Sequence, residues 1–234
     1  MRLAIISDIH ANADALAAVL RALSINEAEA LVVAGDMVGY YFEPKKVLEL
    51  LRGYEKPIYM VRGNHEEMLL RALNSDTELT MITEKYGPGI QLALNQLSVS
   101  EIKWITSLPH PLEINNLGCS ILLCHGSPAN PSQYIYPDSP LDDLLQGRNN
   151  IPDVLIAGHT HYPMVKKVGT CLVVNPGSVG QPRNRVPGAH WAMLDTQTIC
   201  AEQFVEPYDV SSIQASCMQL APQLPYLAEV LARS

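Results

Sequence analysis

Five short fragments carry most of the chemistry in this chain: Asp8-Ile9-His10, Gly35-Asp36, Gly63-Asn64-His65-Glu66, His125-Gly126 and Gly158-His159-Thr160-His161. Each alone is weak, because a lone histidine or aspartate at a strand end is more often structural than a ligand. Together they supply seven oxygen or nitrogen donors: Asp8, His10, Asp36, Asn64, His125, His159 and His161. Two divalent cations sharing one carboxylate need about that many ligands, and such a pair is a device for hydrolysing phosphate esters. Carboxylate, amide and imidazole donors select Mn, Fe, Zn, Co or Ni over Ca, and the absence of a thiolate fits a structural zinc site poorly. In an extended segment i and i+2 share a face, so Asp8 and His10 are expected to reach one ion, and His159 and His161 repeat the spacing. Asp36 follows an apolar run and a glycine, which suits a carboxylate that bridges two ions.

The elements that must position these groups are legible from periodicity. Leu3 to Ile6, Ala30 to Ala34 and Ile58 to Val61 are short apolar strands. Between them lie a helix capped by Asn12, with Leu16, Val19, Leu20 and Leu23 on one face, and a helix opened by Pro44 and ended by Gly53. Strand, helix, strand, helix, strand at this spacing predicts a buried parallel sheet. From 66 to 108 the pattern turns helical, with a capping box at Ser98 and Glu101. This stretch is expected to be an insertion that shapes the substrate site, meets another copy of the chain, or both. Strands are then expected at Ile121–Cys124, Val154–Ala157, Val165–Val168, Leu172–Val174, Ala189–Asp195 and Ile199–Val205, the later ones antiparallel. The expected architecture is one α/β domain over residues 1–234, a four-layer α/β/β/α sandwich of two mixed sheets flanked by helices, with a helical tail after about 207.

Composition narrows the classes. A chain that is 47% hydrophobic and 17% charged folds rather than staying disordered. A net charge of −8 argues against a broad nucleic-acid-binding surface, and no apolar run approaches a membrane span. Five cysteines with no C-x-x-C favour a reducing cytoplasm over a disulfide framework, and a carboxylate at Asp8 comes too early for a signal peptide.

The ordered fragments resemble the calcineurin-like metallophosphoesterase superfamily, whose signature is D-x-H, GD, GNH[DE], H and GHTH. Ser7 to Asn12, Gly35 to Tyr40, His125 to Pro128 and Asn175 to Arg183 look like its prokaryotic predicted-phosphodiesterase branch, over about residues 2 to 205. The resemblance implies one ion on Asp8, His10, Asp36 and His161, and a second on Asp36, Asn64, His125 and His159, with Mn foremost and Fe, Zn, Ni, Co or Mg as alternatives. It places His65 beside the scissile phosphate, to assist the leaving group or stabilise charge. Two aspartates and a bridging hydroxide leave such an ion pair one net positive charge, which attracts a phosphate.

Asp36 and His65 are therefore the expected catalytic groups, and Asn12, Asn64, Ser178 and Arg183 the expected substrate contacts. Small nucleotide diesters are the expected substrates. The alternatives are a phosphomonoesterase or serine/threonine protein phosphatase, since many small diesterases of this branch carry cysteine where this chain has His65, and a scaffold that has lost catalysis. Ala11 replaces a usual glycine, and Tyr40-Tyr41-Phe42 replaces a usual Tyr-Gly-Pro. His110 and His190 are expected to be ordinary, Pro176, Gly177 and Gly180 to shape a turn, and a homo-oligomer is an open expectation.

Overall fold

Leu3, Ala4, Ile5 and Ile6 are all fully buried, so β1 (Arg2–Ile6) reads as a continuous apolar run rather than an alternating one. The computed structural model describes residues 1–140, 144–145 and 150–233. After β1 come α1 (Ala13–Ile25), β2 (Ala30–Val33), α2 (Pro44–Arg52) and β3 (Ile58–Met60). Residues Leu3 to Ile6 pair in parallel with Ala30 to Val33, and Leu31 to Val33 pair in parallel with Ile58 to Met60. Two late strands complete this sheet. β9 (Ala189–Asp195) lies antiparallel to β1, and β10 (Cys200–Glu206) antiparallel to β9, giving the order β10-β9-β1-β2-β3.

A second sheet has the order β4-β5-β6-β8-β7, from β4 (Leu112–Ile114), β5 (Ile121–Leu123), β6 (Val154–Ile156), β7 (Met164–Val168) and β8 (Cys171–Asn175). The expectation that the later strands are antiparallel holds for β7 with β8 and β9 with β10. It fails for β5, β6 and β8, which run parallel because a long connection follows β5 and the β7 hairpin returns the chain to β6's side. β4 escaped the periodicity reading, being only three residues long. The expected pair of mixed sheets flanked by helices is the observed architecture.

Alternation along β1 sorts the cores. Leu3 and Ile5 face the second sheet, with Val32, Ala192, Leu123, Ile156 and Val174 in one apolar layer. Ala4 and Ile6 face the helices, with Leu16, Val19, Leu48 and Trp191. The 66–108 region contains α3 (Asn64–Leu73), α4 (Asp76–Tyr86), α5 (Gly89–Gln96) and α6 (Val99–Thr106). On the far side of the second sheet, Ile135, Leu144 and Leu145 of the β5–β6 connection cover Leu122, Cys124, Leu155 and Val173. The tail forms α7 (Ser211–Leu220) and α8 (Tyr226–Glu229), which pack Ile213, Cys217 and Leu227 onto Tyr40, Tyr41 and Phe42. No helix among the described residues is long and apolar enough to cross a membrane. The five cysteines are unpaired.

Loops leaving the carboxyl ends of parallel strands carry the predicted chemistry. β1 leads to Asp8, β2 to Asp36, β3 to Asn64, β5 to His125 and β6 to His159. Open α/β sheets place their ligand crevices at that edge.

One ion-pair cluster locks α6 to α2. Glu101, buried in the capping box of α6, accepts from Lys45 Nζ at 2.6 Å and Arg52 at 3.0 Å, both on α2. Lys45 and the Ser98 cap pull the Glu101 carboxyl down to about 2. Glu101→Gln is expected to lower stability at pH 7 by about 1 kcal/mol, a fall of ~2–4 °C in Tm, since the cations are solvent-screened. A depressed carboxylate contributes above its unfolded pKa and loses that contribution as pH falls toward the folded one. The Tm gap between wild type and variant should therefore be full above pH 5 and close as pH drops from there toward about 2.

Candidate metal centre

All seven predicted donors converge. Asp8 Oδ1 lies 3.2 Å from His161 Nε2 and 3.7 Å from His10 Nε2, and the two imidazole nitrogens are 3.1 Å apart. His125 Nε2 lies 3.1 Å from Asp36 Oδ2 and 3.0 Å from Asn64 Oδ1, and a ring nitrogen of His159 joins Asp36 and His125 within 4.8 Å. Asp36 Oδ2 is also 3.8 Å from His10 Nε2 and 3.9 Å from His65 Nε2, so it stands between the two sets.

Backbone carbonyls fix the tautomers. His10 Nδ1 donates to Val38 O at 3.1 Å, His125 Nδ1 to Ala34 O at 2.6 Å and His161 Nδ1 to Gln181 O at 2.6 Å. His159 does the converse, Nε2 donating to Ser132 O at 3.0 Å. A ring that donates through one nitrogen has the other as its lone-pair donor, which is how ligating histidines are usually oriented. His10 and His161 thus turn two lone pairs toward each other and toward Asp8 Oδ1, a fully buried carboxylate oxygen with no hydrogen-bond partner among the described residues. Like-for-like acceptors at this spacing repel unless a cation lies among them. The donor set fits divalent metal ions.

The electrostatics agree. Burial would raise the Asp8 and Asp36 carboxyls, yet the facing histidines, His161 for Asp8 and His125 for Asp36, hold both well below the usual range. Burial opposes charge on His125, but Asp36 and Asp8 push it up to about 10, so the two carboxylates favour positive charge at this position. Burial, with His125, lowers His159 to about 4, and burial lowers His65 to about 4, so both rings are neutral at pH 7.

Extended segments do not supply this geometry, contrary to the spacing argument. Asp8, His10, Asp36, His159 and His161 all have φ between 51° and 67°, the left-handed region. Such backbone costs a non-glycine residue of order 1–3 kcal/mol and persists only when its surroundings over-determine it. Here they do: Asp8 N–H donates to Gly35 O, His10 N–H to Asp36 O and Ala11 N–H to Met37 O. The main-chain N–H of His159 donates to Asp8 Oδ2 at 3.0 Å and that of His65 to Asp36 Oδ1 at 2.8 Å, so each aspartate orders the loop bearing another predicted site residue. Gly63 permits a close approach to Asp36, since a Cβ there would collide with Asp36 Oδ1.

Two expected substrate contacts are placed elsewhere. Asn12 caps α1, accepting from Ala15 N–H, and its amide donates to Gly180 O and Tyr208 Oη. Ser178 is fully buried, donates to Asp8 O and accepts from Gln181 N–H. Both brace the Asp8 loop against the 175–183 turn, and neither lines the cleft around the predicted donors. Arg183 and Asn64 do line one, a cleft of about 220 Å³ shared with Asp36, His65, His159 and His161.

Sequence reading passed over two supports. Glu66, fully buried, accepts four main-chain N–H bonds, from Asp36, Met37, Val38 and Gly63, at 2.7–3.3 Å. Its place as the fourth residue of Gly63-Asn64-His65-Glu66 was the available signal. His110, set aside as ordinary, accepts the main-chain N–H of His125 at 3.1 Å. Glu66→Gln keeps the shape but turns an NH₂ toward amide donors, freeing the Asp36 loop. Metal affinity measured by calorimetric titration is expected to fall ~10–100-fold, with a stability loss of about 1–3 kcal/mol.

Comparison with known proteins places this centre in a family. A model of the calcineurin-like phosphoesterase superfamily domain matches residues 1–199, which contain every ligand fragment. An uncharacterized protein of Methanocaldococcus jannaschii is 31% identical over 226 residues, covering 89% of this chain and 88% of its own. The phosphodiesterase YfcE of Escherichia coli is 26% identical over 210 residues, covering 85% and 90%. The crystal structure of a metallophosphoesterase from Sphaerobacter thermophilus superposes with a TM-score of 0.78 at 26% identity, covering 98% of this chain and 99% of that one. The chain belongs to the calcineurin-like phosphoesterase superfamily, a family of metal-dependent phosphoester hydrolases.

Proposed function

We propose that the chain is a phosphodiesterase for small nucleotide-type esters, working at a two-metal site within one domain. The observation that carries this reading is the position of Asp36 Oδ2, which reaches His125 on one side and His10 on the other. One ion would be held by Asp8, His10, Asp36 and His161, the other by Asp36, Asn64, His125 and His159, with Mn the leading candidate. Bound there, the ions supply Lewis acidity to the phosphoryl oxygens and a water acidic enough to ionise near neutral pH.

The chain's own residues do the rest. Asp8 and Asp36 stay ionised, and the carbonyl-bonded imidazoles stay in one tautomer. His65 is 3% exposed, and its Nδ1 has no partner among the described residues. Its neutral ring is suited to donate a hydrogen bond to the departing oxygen. Arg183 donates to Tyr40 Oη and Gln181 Oε1, both at 3.0 Å, which holds its guanidinium at the cleft for a free phosphoryl oxygen. The preference for a diester rests on the likeness to the Escherichia coli phosphodiesterase.

After chelation, readdition of Mn²⁺ should restore hydrolysis of bis(p-nitrophenyl) phosphate, faster than that of p-nitrophenyl phosphate. No metal-dependent turnover with any of several ions sinks the enzyme reading, and a faster monoester reverses the preference. His159→Ala and His161→Ala should each retain about half the metal found by elemental analysis, and the two losses should come from different ions, whereas Asp36→Asn should lose most of both. His65→Ala should keep its metal yet lose ~10²-fold or more in kcat, and an unchanged kcat on an alkyl leaving group excludes the donor role.

A further inference from the structure

The cleft is small. At about 220 Å³ it is below the ~300–1,000 Å³ of sites that enclose a drug-sized ligand. A cleft of that size suits the phosphoryl end of an ester, and a larger group on the ester extends over the rim. The rim is not neutral in character. The chain has ten tyrosines, and five of them gather around this one opening.

On the insertion side, the Tyr86 ring meets His65 at 5.6 Å and Tyr40 at 5.8 Å, and Lys85 Nζ lies 4.9 Å over it. On the other side a ladder rises from the His159 ring: Tyr134 at 4.3 Å, then Tyr136 a further 5.8 Å on, with the two tyrosine rings parallel within 4°. Tyr134 is 51% exposed and Tyr136 43% exposed, so neither is packing the core. Their loop is nonetheless held. Ser132 O accepts from His159, Tyr136 N–H donates to Ser139 Oγ, and Pro137 O accepts from Lys166 Nζ. Two parallel, exposed rings on a tethered loop present a ready stacking surface, because little order is lost when a planar ligand lies against them.

We propose that Tyr134 and Tyr136 form a base platform, so that the substrate is a nucleoside phosphoester whose base stacks outside the cleft while its phosphate sits on the metal centre. The inference deepens the phosphodiesterase reading and rests on it. Among the described residues that line the cleft the cations are Lys85 and Arg183, enough for one phosphate rather than a polymer, and the protein as a whole carries −8. A base face is also the part of a nucleotide that stacking reads without regard to sequence.

The test compares AMP with ribose 5-phosphate, which share phosphate and sugar and differ by the base. Competitive inhibition of bis(p-nitrophenyl) phosphate hydrolysis by the Mn²⁺-loaded protein gives each Ki, and calorimetric titration gives each Kd without reliance on turnover. AMP should bind about 10-fold more tightly, in line with the size of base–aromatic stacking. That ratio should fall below about 2 in Tyr134→Ala, fall partway in Tyr136→Ala and persist in Tyr134→Phe. Equal affinities in the wild type, or a ratio untouched by Tyr134→Ala, overturn the platform. A uniform weakening of both ligands in Tyr134→Ala also overturns it, because that marks support of His159 instead. Absence of metal-dependent hydrolysis with the AMP preference intact overturns the phosphodiesterase reading and leaves the platform standing.

Discussion

Five of the seven predicted ligand positions hold their side chains on left-handed backbone, and the rest of the site follows from how that conformation is enforced. Aspartate and histidine tolerate it better than most side chains, but neither holds it unaided. The enforcement comes from loops bonding to loops: the Asp8 turn to the Asp36 turn, the Asp36 turn to α3 through Glu66, and the His159 turn back to Asp8. A ligand group that is also a structural acceptor cannot move alone. Preorganisation is thus distributed over three strand ends in two sheets, which is the kind of rigid support precise metal geometry needs.

Electrostatics sharpens the same constraint. Three carboxylates, Asp8, Asp36 and Glu66, are buried within one small region. Asp8 and Asp36 face imidazoles. Glu66 is bonded by main-chain N–H groups, and burial together with the Asp36 charge pushes it up to about 7. Negative charge concentrated in a low-dielectric interior is costly unless compensated. The folded architecture therefore favours anything cationic at the junction of Asp8 and Asp36, whether protons on His125 or metal ions.

Much of this was legible in the residues. The ligand fragments, the parallel β1–β3 unit, the helical 66–108 region and the Ser98 capping box all have short-range signals, such as apolar runs ending at glycine or S-x-x-E spacing. What was not legible depends on contacts across long separations. Nothing local to Asn12 or Ser178 shows that their polar atoms bond to Gly180 and Asp8. The φ angle of a ligand loop is set by partners 25 or more residues away. Tyr134 and Tyr136 fall in a Pro-rich connection with no periodicity, and their stacking on His159 exists only once β5 and β6 lie side by side. β4 and the parallel pairing of β6 failed for a related reason, since short strands take their direction from the sheet they join.

The position of β1 has a consequence for how the protein comes into being. The first strand is the middle strand of its sheet, and one of its edges is covered by β9, nearly the whole chain later. The Asp8 loop at its end waits for the amide of His159, the hydroxyl of Ser178 and the amide of Gly180. During synthesis, the ribosome therefore releases the earliest ligands long before the residues that hold them in place. A chain of 150 residues contains the Asp8, Asp36 and Glu66 loops that bond to one another, but not His159, Ser178 or Gly180, which close the cradle around Asp8. The complete donor set is thus a property of the finished fold and not of its growing end.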